Sequence, residues 1–335
     1  MTSAFAEHGQ PPLSDSDLHG ASPLKVAAAV ILKPDGQFLL AQRPAGKPYA
    51  GYWEFPGGKV KAHESSEQAL RRELQEELGI RAEQIYPWLT RTFCYPHATV
   101  RLCFHRVLRW SGEPHGRENQ QLSWQRAEQV VVAPLLPANG PLLRALILPP
   151  VYAISNVAEL GKDHFMQRLE WALQSGLGLI QVRERHLPPH ELENFAAAVL
   201  RAARRYQAKV LLNGDIGLAQ KLDADGVHLT SKQLMELEER PPVKWCGASC
   251  HDREQLQRAA QLPVDFVALA PVLPTLSHPG ASGMGWDSFA QLISGYSLPV
   301  YALGGMRREY LNTAWLHGAH GIAMMRAAWR IPEAP

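Results

Sequence analysis

Three glutamates in one helix-forming stretch have the spacing of a metal site. Glu73, Glu76 and Glu77 stand at positions i, i+3 and i+4, which places their carboxylates on one face of a helix. Carboxylates that close repel one another until a cation neutralises them, and Mg²⁺ binds such oxygen ligands together with phosphate oxygens. The spacing therefore favours a divalent-metal site for a polyphosphate. The alternative is a solvated acidic helix face without a ligand.

The residues around these glutamates predict the helix that carries them. Ser65 is expected to be the N-cap, Gln68 completes a capping box, and Gly79 occupies the place of a left-handed C-terminal cap. Arg72 is expected to return to Glu64 and to hold the preceding loop against the helix. The apolar face that would bury the helix consists of Ala69, Leu70, Leu74 and Leu78.

The same stretch, residues 58–80, reads GKVKAHESSEQALRRELQEELGI and resembles a complete Nudix box. That motif is the metal-binding loop–helix–loop of enzymes that cleave nucleoside diphosphates linked to a further group. The resemblance implies Mg²⁺ as the cofactor, with Mn²⁺ as an alternative, and a nucleoside triphosphate as the substrate. The catalytic residues it implies are Glu64, Arg72, Glu73, Glu76 and Glu77, the last three as metal ligands.

The first domain is expected to span residues 24–148 and to have the α/β/α sandwich fold of Nudix enzymes. VAAAVIL (residues 26–32) and QFLLAQR (residues 37–43) are predicted strands on either side of a Pro-Asp-Gly turn. A second hairpin is predicted over residues 90–96 and 99–110. Within the superfamily the domain resembles MutT-type pyrophosphohydrolases, which convert oxidised purine nucleotides such as 8-oxo-dGTP to the monophosphate and pyrophosphate.

Further residues of this domain match the MutT pattern. Glu118, in GEPHGRENQQLSW, takes the place of a distant metal-binding and catalytic glutamate, and the alternative is an ordinary loop residue. Asn139, in PLLPANGPLL, takes the place of the asparagine that reads the purine edge, where an amide offers both a donor and an acceptor. An Asn-Gly pair is equally typical of a turn. Substrate contacts are also implied for Arg43, Phe55, Gly58 and Lys59.

Composition and charge limit the class of protein. The 335 residues suit two domains, and 46% hydrophobic with 20% charged residues is typical of soluble globular folds. A formal charge of +2 gives no reason to expect a nucleic-acid polymer as a partner, and no segment has the length of a membrane span. We expect residues 1–23 to be a disordered tail. Because the four cysteines lack a metal-like pairing, a reducing, cytoplasmic compartment is expected.

A different pattern begins at residue 151, after a short Leu-Pro-Pro linker. Short apolar strands alternate with helical stretches such as residues 190–207. Eight β/α units in about 185 residues predict a compact TIM (β/α)₈ barrel over residues 151–335, with its active site at the carboxyl ends of the strands. The predicted strands are VYAIS, LIQVRE, KVLLN, GVHL, KWCGAS, FVALAPV, VYALGG and GIAMMRA.

This half resembles thiamine-phosphate synthase and its relative, the thiazole tautomerase TenI. The matching segments are QVRER, ADGVHL, GASCH, APVLPT and ALGGM. The glycines of the last segment suit a phosphate-binding loop, because glycine lets backbone N–H groups approach an anion. The alternative is that these glycines only turn the chain. The resemblance implies a thiamine-precursor phosphate held among Gln181, Arg183, Asn213, His251, Thr275, Gly304, Gly305 and Arg326.

Two carboxylates of the synthase pattern are absent from this chain. After the third strand an Asn-Gly-Asp run leaves Gly214 where the synthase has its aspartate, and residues 230–233 read TSKQ in place of a Gly-Gln-acidic-Asp run. His278 and Arg326 replace a lysine and a serine of the pattern. Without the carboxylates a magnesium-bound pyrophosphate lacks its ligands, so full synthase activity is not expected.

Two functions stay open at this point. In the first, the Nudix domain removes oxidised purine nucleotides, and the barrel is accessory: tautomerase-like with His251 moving a proton, a residual synthase, or non-catalytic. In the second, the barrel binds or isomerises a thiamine precursor, and the Nudix domain hydrolyses a thiamine-related pyrophosphate. Glu118 and Asn139 favour the first function, whereas only the fusion to the barrel favours the second.

Overall fold

The computed structural model describes residues 23–96, 98–275 and 282–330, which form two domains of α/β structure. The predicted tail, apart from residue 23, lies outside the described residues, and so does His278. In the part of the chain that is described, no helix is both long and apolar enough to cross a bilayer.

The first domain packs two helices against two small sheets. Its strands are β1 (Leu24–Ile31), β2 (Phe38–Gln42), β3 (Trp53–Glu54), β4 (Gly57–Lys59), β5 (Arg81–Tyr95), β6 (Ala98–Ser111) and β7 (Leu122–Gln125). Its helices are α1 (Ser66–Leu78) and α2 (Gly140–Leu146), the latter preceded by a 3₁₀ turn at Pro137–Asn139. One sheet has the order β4-β1-β6-β5, with only β1 and β6 parallel, and the other has the order β3-β2-β7. The predicted mixed architecture is confirmed.

The second predicted hairpin is confirmed, but its first strand is much longer than the sequence indicated. β5 begins at Arg81, directly after the helix, and pairs with β6 along almost its whole length. Its register shifts between Ala82 and Ile85 and again between Pro87 and Thr90. These irregularities break the alternation of apolar and polar residues on which strand prediction depends, and therefore hid the amino-terminal half of the strand.

Helix α1 forms as its sequence predicts. The Ser65 side chain accepts from the Gln68 backbone N–H, the Gln68 side chain returns to the Ser65 N–H, and Gly79 adopts the left-handed conformation with φ 69°. The four predicted apolar residues are buried against β1, β5 and β6. Each leucine so buried contributes about 1.5–3 kcal/mol relative to an exposed one. The packing fixes which helix face remains open, and that face carries the glutamates.

The second domain is a closed barrel of eight parallel strands, as predicted. They are β8 (Val151–Ile154), β9 (Leu179–Val182), β10 (Lys209–Asn213), β11 (Gly226–Leu229), β12 (Trp245–Cys250), β13 (Phe266–Leu269), β14 (Val300–Leu303) and β15 (Gly321–Met324). The helices around them are α3 (Val157–Leu160), α4 (Lys162–Gln174), α5 (Pro189–Arg204), α6 (Ile216–Lys221), α7 (Ser231–Glu236), α8 (Arg253–Gln261), α9 (Gly285–Ile293) and α10 (Leu311–Leu316). Two 3₁₀ turns lie at Arg308–Tyr310 and Arg326–Trp329.

The first domain contacts the amino-terminal end of the barrel. Arg144, in α2, pairs with Asp265, which directly precedes β13, at 2.5 Å between Nε and Oδ1. The Arg144 guanidinium also lies 4.1 Å from the ring centre of Trp245, the first residue of β12. Because the ligand sites of such barrels lie at the opposite, carboxyl ends of the strands, the first domain does not cover the barrel's predicted site.

A buried arginine lies at the centre of this interface. Arg106, in β6, donates to the carbonyl of His320 at 2.9 Å and contacts its Nδ1 at 2.8 Å, while its guanidinium stacks 4.3 Å from the ring centre of Trp88. The His320 Nε2 lies 2.9 Å from the Leu148 carbonyl. His320 therefore donates through Nε2 and accepts through Nδ1, which requires a neutral ring. Burial lowers the pKa of Arg106 to about 9, and burial beside Arg106 lowers the pKa of His320 well below its usual value.

The neutral state of His320 predicts acid sensitivity of the fold. The unfolded chain takes up a proton on this histidine near pH 6.5, whereas the folded chain does so only at much lower pH. Stability is therefore expected to fall below about pH 6.5, with a contribution of about 1.4 kcal/mol per pH unit from this residue. Chemical denaturation between pH 5 and 7.5 should show a shallower slope for His320→Gln, and an unchanged slope for the exposed His190→Gln. Identical slopes for all three proteins would contradict the neutral assignment.

Candidate active site

Arg72 gathers three of the predicted catalytic carboxylates. Its guanidinium lies 2.7 Å from a Glu64 oxygen, 2.6 Å from a Glu73 oxygen and 3.1 Å from a Glu76 oxygen. It also donates to the backbone carbonyl of Lys59 at 3.1 Å. The hydrogen bond from Arg72 lowers the pKa of Glu64, and the bonds to Glu64 and Glu73 raise the pKa of Arg72 further. The predicted return of Arg72 to Glu64 is confirmed, and it fastens the loop before the helix to the helix itself.

Gly58 is required by the position of Glu73. A Cβ atom at residue 58 would lie 2.2 Å from Cδ of Glu73, inside the van der Waals radius of the carboxylate. Any larger side chain would push that carboxylate away from Arg72. Position 58 therefore requires glycine for a steric reason, because the backbone of strand β4 passes directly against the Glu73 side chain.

A second acidic pair lies at the carboxyl end of the helix. The loop after β6 returns to α1, where the Arg117 N–H donates to the Glu77 carbonyl at 3.0 Å and the Gln120 side chain donates to the same carbonyl at 3.1 Å. The Gln120 side chain also accepts from the Glu118 N–H at 2.7 Å. These contacts bring Glu118 beside Glu77, although the two are 41 positions apart in the sequence.

Lys47 lies between the members of this pair. Its Nζ is 2.6 Å from a Glu118 oxygen and 3.7 Å from a Glu77 oxygen. Burial raises the pKa of Glu77 to about 7, with further increases from Glu73, Glu118 and Glu54, and Lys47 opposes the shift. Glu54, which is partly buried, pairs with Arg43 at 2.5 Å. Sequence reasoning missed both Lys47 and Glu54, because neither lies in the motif that defines the helix.

These residues fit a hard divalent cation by chemistry, although their side chains are paired with one another. Within residues 23–96, 98–275 and 282–330, no three acidic, histidine or cysteine side chains are arranged as a ready metal site. Glu73 and Glu76 bind Arg72, whereas Glu77 and Glu118 bind Lys47. The cations that neutralise these carboxylates here are thus two side chains of the protein, those of Arg72 and Lys47. The donor set is all carboxylate oxygen, which Mg²⁺ and Mn²⁺ prefer, and the residues Glu73, Glu76, Glu77 and Glu118 could hold one.

Two of the residues predicted to contact the nucleotide, Asn139 and Phe55, are buried. Asn139 is buried in the 3₁₀ turn before α2, and its side-chain amide donates to the Trp53 carbonyl at 3.1 Å. It thus begins a helix and does not form the open Asn-Gly turn that its sequence also allowed. Phe55 packs in the core between Phe38 and Phe104, with ring centres 5.6 and 6.0 Å away. That packing accounts for an aromatic residue at position 55 without a ligand.

Several tyrosines near Arg43 were not predicted from the sequence. The Tyr49 ring lies 5.4 Å from that of Tyr52 and 5.5 Å from that of Tyr95. Burial and the nearby Glu54 raise the pKa of Tyr95 to about 12, so its phenol stays neutral. Ring surfaces on which a flat heterocycle could stack thus lie near Arg43. Lys59, by contrast, is exposed on β4.

The interior of the barrel contains a buried polar network. The Gln181 side chain donates to the Tyr152 hydroxyl at 2.9 Å, and that hydroxyl lies 3.2 Å from Nδ1 of His228. The His228 Nε2 lies 3.0 Å from the Ser249 hydroxyl. Burial, followed by the charge of Arg183, lowers the pKa of His228 to about 3. Gln181 is therefore part of a buried polar network inside the barrel. This network accounts for a glutamine at position 181 without a ligand.

The carboxyl end of the barrel brings together most of the remaining predicted ligand residues. Arg183 lines a recess with Asn213 and Asp215, and burial with the neighbouring Arg185 lowers its pKa. Asp215, one position beyond the missing metal carboxylate, accepts from the Leu218 N–H through its side chain and is the N-cap of α6. The run at residues 230–233 likewise forms the capping box of α7.

The phosphate-loop glycines have a steric reason of their own. Gly304 and Gly305 have φ of 100° and 68°, and a Cβ on either would lie within 2.9 Å of the segment at residues 271–274. Tight packing therefore requires glycine here whether or not a phosphate binds. Arg326 forms a two-pronged ion pair with Glu159, between the segments that follow the neighbouring strands β15 and β8.

His251 and Thr275 complete the predicted barrel site. His251 is exposed, with its Nδ1 2.8 Å from the Ala270 carbonyl, which leaves Nε2 to face solvent. Thr275 is partly buried. Both follow the carboxyl ends of strands, on the same side of the barrel as Arg183.

Comparisons with known proteins agree with this geometry. The model of the NUDIX domain family matches residues 23–146, and that of the thiamine monophosphate synthase family matches residues 151–328. The first half is 41% identical over 124 residues to the 8-oxo-dGTP diphosphatase of Haemophilus influenzae, covering 37% of this chain and 91% of the relative. It is 42% identical to the CTP pyrophosphohydrolase of Escherichia coli, with coverage of 37% and 91%.

The second half is 34% identical over 184 residues to the thiamine-phosphate synthase of Streptococcus suis, covering 53% of this chain and 80% of the relative. Fold and site thus define a hydrolase domain joined to a synthase-type barrel. The chain belongs to the Nudix hydrolase family over its first domain and to the thiamine monophosphate synthase family over its second. Nudix hydrolases generally use divalent metal ions.

The fork of Arg72 predicts that lysine cannot replace it. A lysine carries the same charge but cannot hold Glu64, Glu73 and Glu76 in fixed geometry at once. We expect Arg72→Lys to lower the metal-dependent hydrolysis rate by about 10- to 100-fold, since a misplaced site loses rate steeply. The matched control is Arg71→Lys, because Arg71 is adjacent and, among the described residues, pairs only with Glu67 and the Ala82 carbonyl. Equal rates for the two variants would contradict the positioning role.

Proposed function

We propose that the Nudix domain is a Mg²⁺-dependent pyrophosphohydrolase of MutT type. It cleaves oxidised purine nucleoside triphosphates, with 8-oxo-dGTP as the representative substrate, to the monophosphate and pyrophosphate. The observation that carries the proposal is the convergence of Glu118 on Glu77, because it adds a distant carboxylate to the acidic face of α1. Mn²⁺ is an alternative ion, since the donor set consists of oxygen ligands alone.

The proposed chemistry is attack of water on an internal phosphorus. Glu73, Glu76, Glu77 and Glu118 would hold Mg²⁺, which supplies neutralisation of the phosphate charge and orientation of the water. Arg72 keeps Glu73 and Glu76 in position, and Arg43 and Lys59 add positive charge on the side of the phosphates. One carboxylate of the group, or Glu118 through a water, accepts the proton. Because these groups interact, they titrate together.

The preference for a purine rests on the residues around Trp53. Asn139 is buried against the Trp53 carbonyl, and an amide can offer one donor and one acceptor to the edge of a base. The nearby rings of Tyr49, Tyr52 and Tyr95 offer aromatic surface for stacking. The likeness to a CTP pyrophosphohydrolase makes CTP the necessary comparison substrate.

Steady-state hydrolysis tests this proposal. We expect kcat/KM for 8-oxo-dGTP to exceed that for dGTP, CTP and thiamine pyrophosphate, and Glu77→Gln to lower it by about 100-fold through loss of a ligand. Asn139→Ala should reduce the ratio between 8-oxo-dGTP and dGTP by about 5- to 100-fold, as a bidentate base contact predicts. Glu83→Gln, an exposed carboxylate paired with Arg109, is the control. Preference for CTP or thiamine pyrophosphate would contradict the proposal.

For the barrel, which we assign to residues 151–335, we propose binding of a thiamine-precursor phosphate without full synthase activity. The carboxylates that would hold a magnesium-bound pyrophosphate are replaced, and Asp215 is occupied as a helix cap. Arg183, half-buried at the barrel mouth, provides positive charge for an anion. His251 directs Nε2 outward and is suited to move a proton. The outward orientation of His251 thus supports the second candidate function, in which the barrel isomerises a thiazole phosphate.

Thermal stability in the presence of thiazole phosphate tests the barrel. A ligand that binds only the native state stabilises it by about 2.7 kcal/mol at a hundredfold excess over Kd. We expect thiazole phosphate, but not inorganic phosphate, to raise the Tm of the full chain, and Arg183→Gln to remove the rise. Arg201→Gln, exposed on α5, should respond like the natural chain. No response to any thiamine-related phosphate would make the barrel a structural partner only.

A further inference from the structure

The loop between β2 and β3 carries the cation of the second acidic pair. Residues 44–51 turn sharply, with positive φ at Gly46, Tyr49 and Gly51. The backbone hydrogen bonds of this loop close it on itself, as in the bond from the Gly51 N–H to the Arg43 carbonyl at 2.9 Å. The ion pairs of Lys47 cross the site and connect the loop to α1 and to the loop after β6.

The ammonium of Lys47 lies where a metal ion shared by Glu77 and Glu118 would have to lie. It is 2.6 Å from one carboxylate and 3.7 Å from the other. An ion bound by both carboxylates needs oxygens about 2.0–2.2 Å away, which leaves no room for the ammonium between them. Lys47 and a divalent cation therefore exclude each other from this position.

We propose that Lys47 is an internal counter-ion that divalent metal displaces, and that its release frees the loop of residues 44–51 to move. In the metal-free protein Lys47 neutralises Glu77 and Glu118 and holds the loop across the site. When metal enters, the ammonium leaves and becomes available to the phosphate chain of a substrate. The inference rests on the proposed function only in taking Glu77 and Glu118 as metal ligands.

Metal binding without nucleotide tests the displacement. Mn²⁺ affinity is measured from the free-ion signal in electron paramagnetic resonance, at fixed pH and low salt. Because Lys47→Met removes the competing cation, we expect it to lower the Kd for Mn²⁺ by about three- to tenfold. Lys61→Met removes an exposed positive charge near Glu64 without touching the pair, and its Kd should change less than twofold.

Hydrogen exchange of residues 44–52 supplies the second readout. Saturating Mn²⁺ should accelerate exchange of these amides in the natural chain, because the ion pairs that hold the loop are lost. In Lys47→Met the same amides should exchange fast with and without metal. A simple change of net charge would alter affinity in both lysine variants and would leave loop exchange unaffected by metal.

The outcomes separate the two proposals. Mn²⁺ binding that needs Glu77, as shown by its loss in Glu77→Gln, but has the same Kd in the natural chain and Lys47→Met, would overturn the counter-ion role alone. An equal gain in Lys61→Met, or loop exchange unchanged by metal, would do the same. Failure of Mn²⁺ to bind, or binding that persists in Glu77→Gln, would overturn the metal site of the proposed function and this inference together.

Discussion

The repulsion between carboxylates is the constraint on which the first domain depends. Packing of α1 against the sheet leaves its acidic face open, and the loop after β6 adds Glu118 to it. So many negative groups in one place are stable only with cations among them. Arg72 fills one such position with bonds to three carboxylates, while Lys47 fills another. In the proposed mechanism Arg72 is the fixed cation that positions carboxylates, and Lys47 is the exchangeable cation that metal displaces.

Within the described residues, the two domains share a contact but not a common site. The first domain lies against the amino ends of the barrel strands, where Arg106 and His320 are buried together. The candidate ligand residues of the barrel lie at the carboxyl ends, beside Arg183 and His251. A product of one domain would have to leave it before reaching the barrel mouth. The interface therefore explains why the domains are held together, and it gives no support for direct transfer between them.

Local patterns predicted what local interactions determine. The capping box of α1, its apolar face and the barrel strands follow from neighbouring residues, and so does the bond from Arg72 to Glu64. The contact of Lys47 with Glu118 spans 71 positions, and that of Arg106 with His320 spans 214. Such pairs form only when whole elements pack together, and no periodic pattern in the sequence predicts them. Phe55 shows a different limit of prediction from sequence, because a core aromatic residue and a base-stacking aromatic residue cannot be told apart in the sequence.

Identification of the hydrolysis products tests the central claim most directly. Incubation of the purified protein with 8-oxo-dGTP and Mg²⁺, followed by phosphorus-31 nuclear magnetic resonance, distinguishes which phosphoanhydride bond breaks. Attack on an internal phosphorus within the carboxylate site predicts the nucleoside monophosphate and pyrophosphate in equal amounts, formed about 100-fold more slowly with Glu77→Gln. Orthophosphate with the diphosphate, or turnover in the variant at the rate of the natural chain, would contradict the account.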